Sequence, residues 1–407
     1  MKKPQLAVAC YRRVLHGNPG SDGAWGNVGN ALKDLERFDE SIAAHRRALE
    51  ISPRNVSHWH NLGVALRESG DTQGAVETFG RAIEIEPAHV DAHWDRALAN
   101  LTLGNYAAAW PDYDYRWRLG ETSKSFKSPY PVWRGEPLAG RSVLLYAEQG
   151  FGDTVMALRC LRRLDGHGGK IILYVQPEMR RLLGTLPNVD EIATRDQPVP
   201  RADLSLPLMD LVARHTPDTA SVAPPVGLIV PAESGQRARA VLSAFKGDFK
   251  VGIIWSGSVT FKNNHRRAVG LERFLPLAEV PGVQLFSLQK GPPYEQFKRL
   301  APLPLVIDLG SLFDDFADTA AAVRELDLVI MTDSSVAHLC GSLGVPIWNL
   351  LNFQAYWIYG RESDETSPWY PSMRLFRQRQ PSDWDDVFGK VKQALELTVA
   401  SKRAATA

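Results

Sequence analysis

The sequence predicts an α + α/β protein in which stacked helical hairpins are followed by two parallel α/β domains. Two observations carry this prediction. Pro19, Pro53 and Pro87 recur every 34 residues, and a fixed period of this length is typical of stacked helical repeats. From residue 138 onward, short apolar runs alternate with helical patterns, which is typical of parallel sheets covered by helices.

The composition excludes several classes of protein. Lys and Arg number 47 against 46 for Asp and Glu, so no overall field draws the chain to nucleic acid or to a membrane surface. The cysteines Cys10, Cys160 and Cys340 are too few and too far apart for a disulfide framework or a zinc site. No apolar run reaches the roughly 18 residues that a transmembrane helix needs. We expect a cytoplasmic protein of two or three domains with no zinc site, no nucleic-acid partner and no transmembrane segment.

Residues 1–119 are the predicted helical region. Small and aromatic residues keep the same register: Trp25 and Trp59, Gly29 and Gly63, Ala48 and Ala82, and Ala7, Ser41, Ala75 and Ala109. Small residues where helices cross, an aromatic residue on the first helix and a proline after the second resemble the tetratricopeptide repeat. That resemblance implies a protein partner, either an acceptor or a docking protein. Because each repeat buries a face on its neighbour, the ends of the stack need capping.

Proline-rich passages divide the rest of the chain. We predict a linker over 120–137, an N-terminal Rossmann-like domain over 138–232 and a C-terminal one over 233–400. The strands of the first are SVLLYA, KIILYV and DLSLPL, and those of the second are KVGIIWS, VQLFSLQ, LPLVIDL, LDLVIMT and VPIWNLL. Such sheets bind ligands at the carboxyl ends of their strands. Residues that follow these runs are therefore the candidates for a site.

The segment AEQGFGDTVMALR follows the first of these strands and leads into a helical pattern. A glycine turn at a helix N-terminus usually binds phosphate, but the charge of Asp153 would repel it. Either Asp153 only caps the helix, or the corner of Gln149, Gly150 and Gly152 serves an acceptor group instead.

A second corner lies in TDSSVAHLCGSLG. Ser334 and Ser335 open a predicted helix, where hydroxyls and backbone amides suit a diphosphate. His338 shares their helix face and can donate to the same anion. The alternative is that Asp333 or Ser334 only caps the helix and His338 packs against the sheet.

Two further polar corners follow strands of the second domain. The chain leaves KVGIIWS through Ser256 and reaches the basic residues Arg266 and Arg267, which suit a phosphate clamp. A solvated basic loop is the alternative. SLQKGPP places Gln289 and Lys290 after another strand, and three such corners at one sheet edge favour a ligand more than any one of them.

A specific resemblance rests on motifs that occur in order along the chain: EQGFGDT, WSGS with NNHRR, SLQKGP, DFADTAA, TDSSVAHLCGSLG and SPWYPSMRLFRQ. They resemble bacterial tetratricopeptide proteins with a glycosyltransferase domain of the heptosyltransferase-like type, glycosyltransferase family 9. The resemblance implies a GT-B pair of Rossmann-like domains. It also implies an inverting, metal-independent transfer of a sugar, without a cofactor, from a nucleotide diphosphate sugar to an acceptor hydroxyl of a glycan or protein.

The same resemblance assigns roles to residues. Asp153 is implied to be the general base, and Asp318 and Thr319 are implied to lie beside the nucleoside. The residues implied to bind the donor lie in the corners already described: Ser256, Arg266, Arg267, Gln289, Lys290, Asp333, Ser334, Ser335 and His338. The N-terminal half is short for the family, so part of the acceptor site is either missing or supplied by the repeats. Met156, Ala157 and Cys160 replace more polar and aromatic residues of the family's helix, which leaves the acceptor class open. The alternative function is a non-catalytic repeat scaffold with a nucleotide-sugar-binding module.

One further motif, Asp112 to Asp114, spells the D-x-D metal motif of another glycosyltransferase fold. It falls in a predicted repeat helix rather than after a strand. We assign it no metal role.

Overall fold

The computed structural model describes residues 3–120, 126–184, 186, 188–302, 304–361 and 363–406, and the structural statements below concern those residues. They form two compact units. The first holds the residues before 126 together with 217–220 and 354–363, and the second holds the rest. The predicted linker includes residues 121–125, which lie outside the described residues.

The first unit is built from helices. In chain order they are α1 (Pro4–Gly17), α2 (Asp22–Lys33), α3 (Phe38–Ile51), α4 (Val56–Glu68), α5 (Thr72–Ile85), α6 (Val90–Leu103) and α7 (Tyr106–Tyr113), followed by a 3-10 helix over Asp114–Arg118. Side chains begin several of them: the Ser21 hydroxyl accepts from the Ala24 amide, and the Asp71 carboxylate accepts from the Gly74 amide. The predicted helical hairpins are confirmed.

The register of small residues has a physical reason in this unit. A Cβ on Gly63 would lie 2.5 Å from the ring of Phe79, and one on Gly29 would lie 2.6 Å from the ring of His45. Glycine therefore lets neighbouring helices approach closely. Ala48 and Ala82 are fully buried for the same reason.

The second unit contains a four-stranded parallel sheet. Its strands are β1 (Ser142–Tyr146), β2 (Lys170–Val175), β3 (Glu191–Thr194) and β4 (Leu204–Pro207), in the order β3-β2-β1-β4. The helices that follow its strands are α8 (Phe151–Ala157), extended by a 3-10 helix over Leu158–Leu164, α9 (Arg180–Leu183) and α10 (Leu208–His215). Strand β3 has no counterpart in the sequence prediction.

A second sheet of seven strands lies in the same unit, in the order β10-β11-β9-β8-β5-β6-β7. The strands are β5 (Phe249–Ile254), β6 (Val283–Ser287), β7 (Val306–Asp308), β8 (Leu328–Thr332), β9 (Ile347–Leu351), β10 (Thr366–Ser367) and β11 (Tyr370–Arg377). All neighbours are parallel except β10 and β11. The two separate sheets confirm the predicted α + α/β fold class, whereas β10 and β11 are additions to the prediction.

Helices cover the second sheet. They are α11 (Ala232–Leu242), α12 (Asn264–Arg267), α13 (Glu295–Leu300), α14 (Phe316–Arg324), α15 (Ser335–Leu343) and α16 (Trp384–Thr406). The buried face of α16, with Val387, Val391 and Leu395, shares one core with Val251 and Ile253 of β5. The candidate residues follow the carboxyl ends of β5, β6 and β8.

Candidate functional site

The first candidate corner joins β1 to α8. Asp153 lies in the first helical turn, and its Oδ2 accepts a hydrogen bond from the Gly150 amide at 3.1 Å. The Thr154 hydroxyl donates to the Gly150 carbonyl at 3.1 Å, and Gln176 Nε2 donates to the Gln149 carbonyl at 3.1 Å. This corner is held by its own side chains, and Asp153 has the geometry of a helix cap. The role of general base stays a prediction.

The N-terminus of α15 is the second candidate corner. Ser334 precedes the helix and its hydroxyl accepts from the Val336 amide at 3.4 Å, and Ser335 is the first helical residue. The side chain of Thr332, at the end of β8, is fully buried. Its hydroxyl has no hydrogen-bond partner among the described residues. This hydroxyl is therefore an unsatisfied buried polar group of the corner.

Hydrogen bonds tie the corner after β5 to the corner after β8. Arg267 Nη1 lies 3.3 Å from Asp333 Oδ2, and its Nε donates to Asn264 Oδ1 at 3.1 Å. Asn264 Nδ2 in turn donates to the Ser256 hydroxyl at 3.1 Å. Arg267 therefore forms an ion pair with Asp333.

The side chains after β6 bind backbone groups. Gln289 Oε1 accepts from the amides of Trp255 and Ser256 at 3.1 and 3.0 Å. The Lys290 ammonium donates to the Gly310 carbonyl at 3.2 Å and also to the carbonyl of Phe313. Gln289 therefore holds the ends of β5 and β6 together, and a donor-binding role for either residue stays a prediction.

Asp318 and Thr319 lie at the start of α14. The Asp318 carboxylate accepts from the Ser234 hydroxyl at 2.6 Å and lies 3.4 Å from Arg181 Nη1, and it forms an ion pair with Arg237. Burial raises the pKa of Asp318, but hydrogen bonds from Arg237 and Ser234 outweigh it and lower the pKa to about 2. The Thr319 hydroxyl donates to the Asp315 carbonyl at 3.0 Å. Since Arg181 belongs to α9, its contact with Asp318 joins a helix of the first sheet to α14 of the second. A nucleoside role for Asp318 and Thr319 stays a prediction.

Helices α8 and α15 meet where Gly152 faces His338. A Cβ on Gly152 would lie 2.7 Å from His338 Cδ2 and 2.9 Å from Nε2. His338 Nδ1 lies 3.0 Å from the Tyr370 hydroxyl. Burial lowers the pKa of His338 to about 4, with Arg159 and Arg267 adding to the shift and Asp333 opposing it. The two corners that the sequence predicts for acceptor and donor are thus adjacent.

Sequence reasoning missed two residues of this junction. Arg159 is almost fully buried, and its Nη1 donates to the carbonyls of Ala223 and Trp369 at 3.1 and 2.9 Å. Its guanidinium lies 4.8 Å from the ring centroid of Tyr370. Tyr370 falls within the SPWYPSMRLFRQ motif, which was the available signal, whereas no local pattern distinguishes Arg159 from its basic neighbours.

The D-x-D motif has a structural explanation. Asp112 is buried, lies 2.5 Å from His93 Nδ1 and accepts from Arg96 Nε at 2.6 Å. In the described part of the chain, no group of three or more His, Cys, Asp and Glu side chains could hold a metal ion. A search of the same residues finds no helix long and apolar enough to span a membrane.

Comparison with protein-family models identifies the helical unit. Residues 22–88 and 60–123 match two models described as tetratricopeptide repeat, so the predicted repeats are confirmed. Among curated proteins, Protein FlbA of Caulobacter vibrioides is 28% identical over 334 residues, which is 75% of this chain and 55% of that protein. The chain thus spans about half the length of this relative.

Similar solved structures include glycosyltransferases of the predicted family. The glycosyl transferase family 9 structure from Veillonella parvula DSM 2008 is 14% identical with a TM-score of 0.46, covering 63% of this chain and 90% of its own. The E. coli ADP-heptose lps heptosyltransferase II is 12% identical with a TM-score of 0.46, covering 64% and 99%. MamA is 18% identical with a TM-score of 0.27, covering 28% and 67%.

Proposed function

We propose that this protein is an inverting, metal-independent GT-B glycosyltransferase that moves a sugar from a nucleotide diphosphate donor to an acceptor hydroxyl of a glycan or protein. The contact between Gly152 and His338 is the observation that carries the proposal. It places the corner with Asp153 beside the N-terminus of α15. A proton acceptor and an anion-binding helix end next to each other suit transfer of a group that leaves with a diphosphate.

The donor diphosphate binds at the N-terminus of α15 in this proposal. Ser334, Ser335 and the first-turn amides supply hydrogen bonds. Arg267 supplies the positive charge. Because Arg267 pairs with Asp333 at 3.3 Å, the diphosphate competes with that carboxylate for the guanidinium.

Asp153 takes the proton in the transfer step. The acceptor oxygen attacks the anomeric carbon as its proton passes to the Asp153 carboxylate. The bond from that carbon to the diphosphate oxygen breaks, the electron pair stays on the diphosphate, and the configuration inverts. Positioned general bases contribute about 10² to 10⁴ in rate.

The tetratricopeptide repeats bind a protein in this proposal, either the acceptor itself or a docking partner. A pull-down on full-length protein with alanine at exposed repeat positions tests this separately from catalysis. Loss of sugar transfer to a protein acceptor, with transfer to a free glycan retained, would assign the repeats to acceptor presentation.

The decisive experiment uses a panel of nucleotide diphosphate sugars. A donor at 100 times its dissociation constant stabilises the folded protein by about 2.7 kcal/mol, which a thermal-shift assay detects. Release of the nucleoside diphosphate with an acceptor, unaffected by a metal chelator, establishes the transferase. Stabilisation by a nucleotide sugar without release across glycan and protein acceptors would instead favour the non-catalytic scaffold. If no nucleotide sugar in the panel stabilises the protein, the proposed donor site is wrong.

A further inference from the structure

We propose that Tyr370 is a positioning residue that holds His338 as the neutral imidazole with its proton on Nε2. His338 then donates a hydrogen bond to a substrate diphosphate oxygen and cannot act as the base. The identity of the substrate rests on the proposed function, whereas the position of the proton does not.

Tyr370 is locked against α15. Its hydroxyl lies 3.0 Å from His338 Nδ1, and the two rings pack edge to face with centroids 5.7 Å apart. A Cβ on Gly341 would lie 2.4 Å from the Tyr370 ring, so the ring fills space that only glycine leaves. Since Tyr370 is fully buried, its hydroxyl finds its partners within the protein, and Ser342 is a second one.

The direction of the hydrogen bond follows from the charge next to Tyr370. The guanidinium of Arg159 lies 4.8 Å from the Tyr370 ring centroid, and it carries donors only. Burial raises the pKa of Tyr370, whereas Arg159 and side-chain hydrogen bonds from Ser342 and Arg159 lower it. The tyrosine oxygen therefore accepts from these groups, and its own proton is left for His338 Nδ1. Nδ1 is then the acceptor of the ring.

The second ring nitrogen must carry the remaining proton. His338 is neutral at pH 7 because burial lowers its pKa to about 4; Arg159 and Arg267 act in the same direction and Asp333 opposes them. A neutral imidazole that accepts at Nδ1 has its hydrogen on Nε2. The Nε2 edge of the ring faces Gly152 of the α8 corner. In the proposed reaction Asp153 accepts the proton, and His338 donates a hydrogen bond.

Nuclear magnetic resonance of the full chain labelled with ¹⁵N-histidine tests the proton position directly. His338→Gln identifies the His338 signals. We expect Nε2 to be protonated and Nδ1 to show a hydrogen-bonded lone pair. In Tyr370→Phe, the Nδ1 signal moves to that of a nitrogen without a hydrogen bond. A wild-type protein with the proton on Nδ1 would overturn the proposal.

A matched variant controls for loss of a buried tyrosine hydroxyl. Tyr174 is buried and donates to the Gln197 carbonyl at 3.2 Å, and Tyr174→Phe leaves the His338 signals unchanged. With a donor identified, Tyr370→Phe lowers the transfer rate about tenfold, the effect of one lost hydrogen bond; a wild-type rate overturns the positioning role. If no donor supports transfer, the proposed function fails while the spectra still decide the proton position.

Discussion

Oδ2 of Asp153 accepts the backbone hydrogen of Gly150 at 3.1 Å. This hydrogen bond closes the first turn of α8 and is the contact expected of a cap. A cap needs only an acceptor oxygen, whereas a general base needs a group that binds a proton near neutral pH. Substitutions that keep one property and remove the other therefore separate the two roles of Asp153.

Asp153→Asn is the first of these substitutions. The amide oxygen still accepts from Gly150, but the side chain cannot take a proton. We expect normal folding and donor binding with a transfer rate lower by about 10²- to 10⁴-fold. Single-turnover measurements with saturating donor check this.

Asp153→Ala is the complementary change. It removes the cap and should cost roughly 1 kcal/mol of stability. If the role is capping alone, activity per folded molecule survives in the alanine variant. An asparagine variant with wild-type single-turnover rates would end the general-base proposal.

The donor site is tested by Ser334→Ala combined with His338→Ala. Each lost charge-assisted hydrogen bond to a diphosphate is worth about 1 to 2 kcal/mol, so nucleotide-sugar binding should weaken by about 2 to 4 kcal/mol. Calorimetry on the folded double variant measures this. Ser243→Ala is a control, because that hydroxyl is exposed and donates to the Ala240 carbonyl away from the corner. Unchanged affinity for the nucleotide sugar in the double variant would mean that the donor does not bind at Ser334 and His338.

Asp318→Asn distinguishes a structural from a nucleoside role. Asp318 is buried, with Arg181 and Arg237 as partners. Loss of the carboxylate should cost roughly 2 kcal/mol, less than for fully buried pairs because both arginines are partly exposed. A nucleoside role predicts weaker donor binding in addition, whereas a purely structural role leaves the donor affinity of the folded variant unchanged. Asp314→Asn, at a side chain that is 82% exposed beside Arg237, is the control and should change stability little.

The stabilisation that Asp318 provides should also depend on pH. Because the folded protein lowers the pKa of Asp318 from its usual 3.8 to about 2, the stabilisation by its carboxylate is complete above pH 3.8 and disappears as the pH falls toward 2. The stability difference between wild type and Asp318→Asn should therefore shrink across that interval. A difference that stays constant down to pH 2 would contradict the assignment.

Local patterns explain which parts of the fold were predictable. The 34-residue register spans two consecutive helices, and each apolar run lies within one strand. Both patterns are local in the chain, and the helices and strands form where the sequence predicts them. Strand β3 was missed because only two of its four residues are buried. Strand β11 interleaves exposed and buried residues without a regular alternation, so its pattern resembled a loop.

The candidate site could be predicted only in part, because several of its contacts join residues that are far apart in the chain. Glycines and polar corners were visible because each lies next to its strand. The partners of Arg159 lie 64 and 210 residues away in the chain, so no spacing reveals them. The network around Asp318 likewise draws on Ser234, 84 residues away, and a motif alone cannot distinguish an internal ion pair from a ligand contact.

His45 makes the helical unit sensitive to acid. It is fully buried in α3, and neither ring nitrogen has a partner among the described residues. Burial lowers its pKa from 6.5 to about 4, with smaller effects of His58 and Lys33. The unfolded chain thus binds more protons between those values, and stability falls as the pH drops through them, by about 3 kcal/mol in total.

His45→Leu should flatten that dependence. Thermal unfolding of the full chain between pH 7 and pH 4, followed by helical circular dichroism, gives the slope for each protein. His16→Gln, at an exposed position in α1, is the control and should keep the wild-type slope. Identical slopes for wild type and His45→Leu would assign the acid sensitivity to other groups.

Gly152→Ala tests the contact on which the proposed function depends. The added Cβ would lie 2.7 Å from Cδ2 of His338, inside van der Waals contact. The ring cannot retreat easily, since Tyr370 holds its Nδ1 and itself packs on Gly341. We expect a loss of about 1 to 3 kcal/mol from overpacking. Gly389→Ala in α16, where nothing lies within 4 Å of the new Cβ, should instead gain about 0.5 to 1 kcal/mol from helix propensity.

A double-mutant cycle then isolates the pair. Removing the ring in His338→Ala relieves the clash, so Gly152→Ala should cost less in that background, with a coupling energy of about 0.5 to 3 kcal/mol. Denaturant unfolding of the four proteins supplies the values. Coupling near zero, with Gly152→Ala as stable as wild type, would mean that α8 and α15 do not meet in solution. The acceptor corner and the donor helix would then need a ligand to bring them together, and Asp153 could reach the sugar only in the bound state.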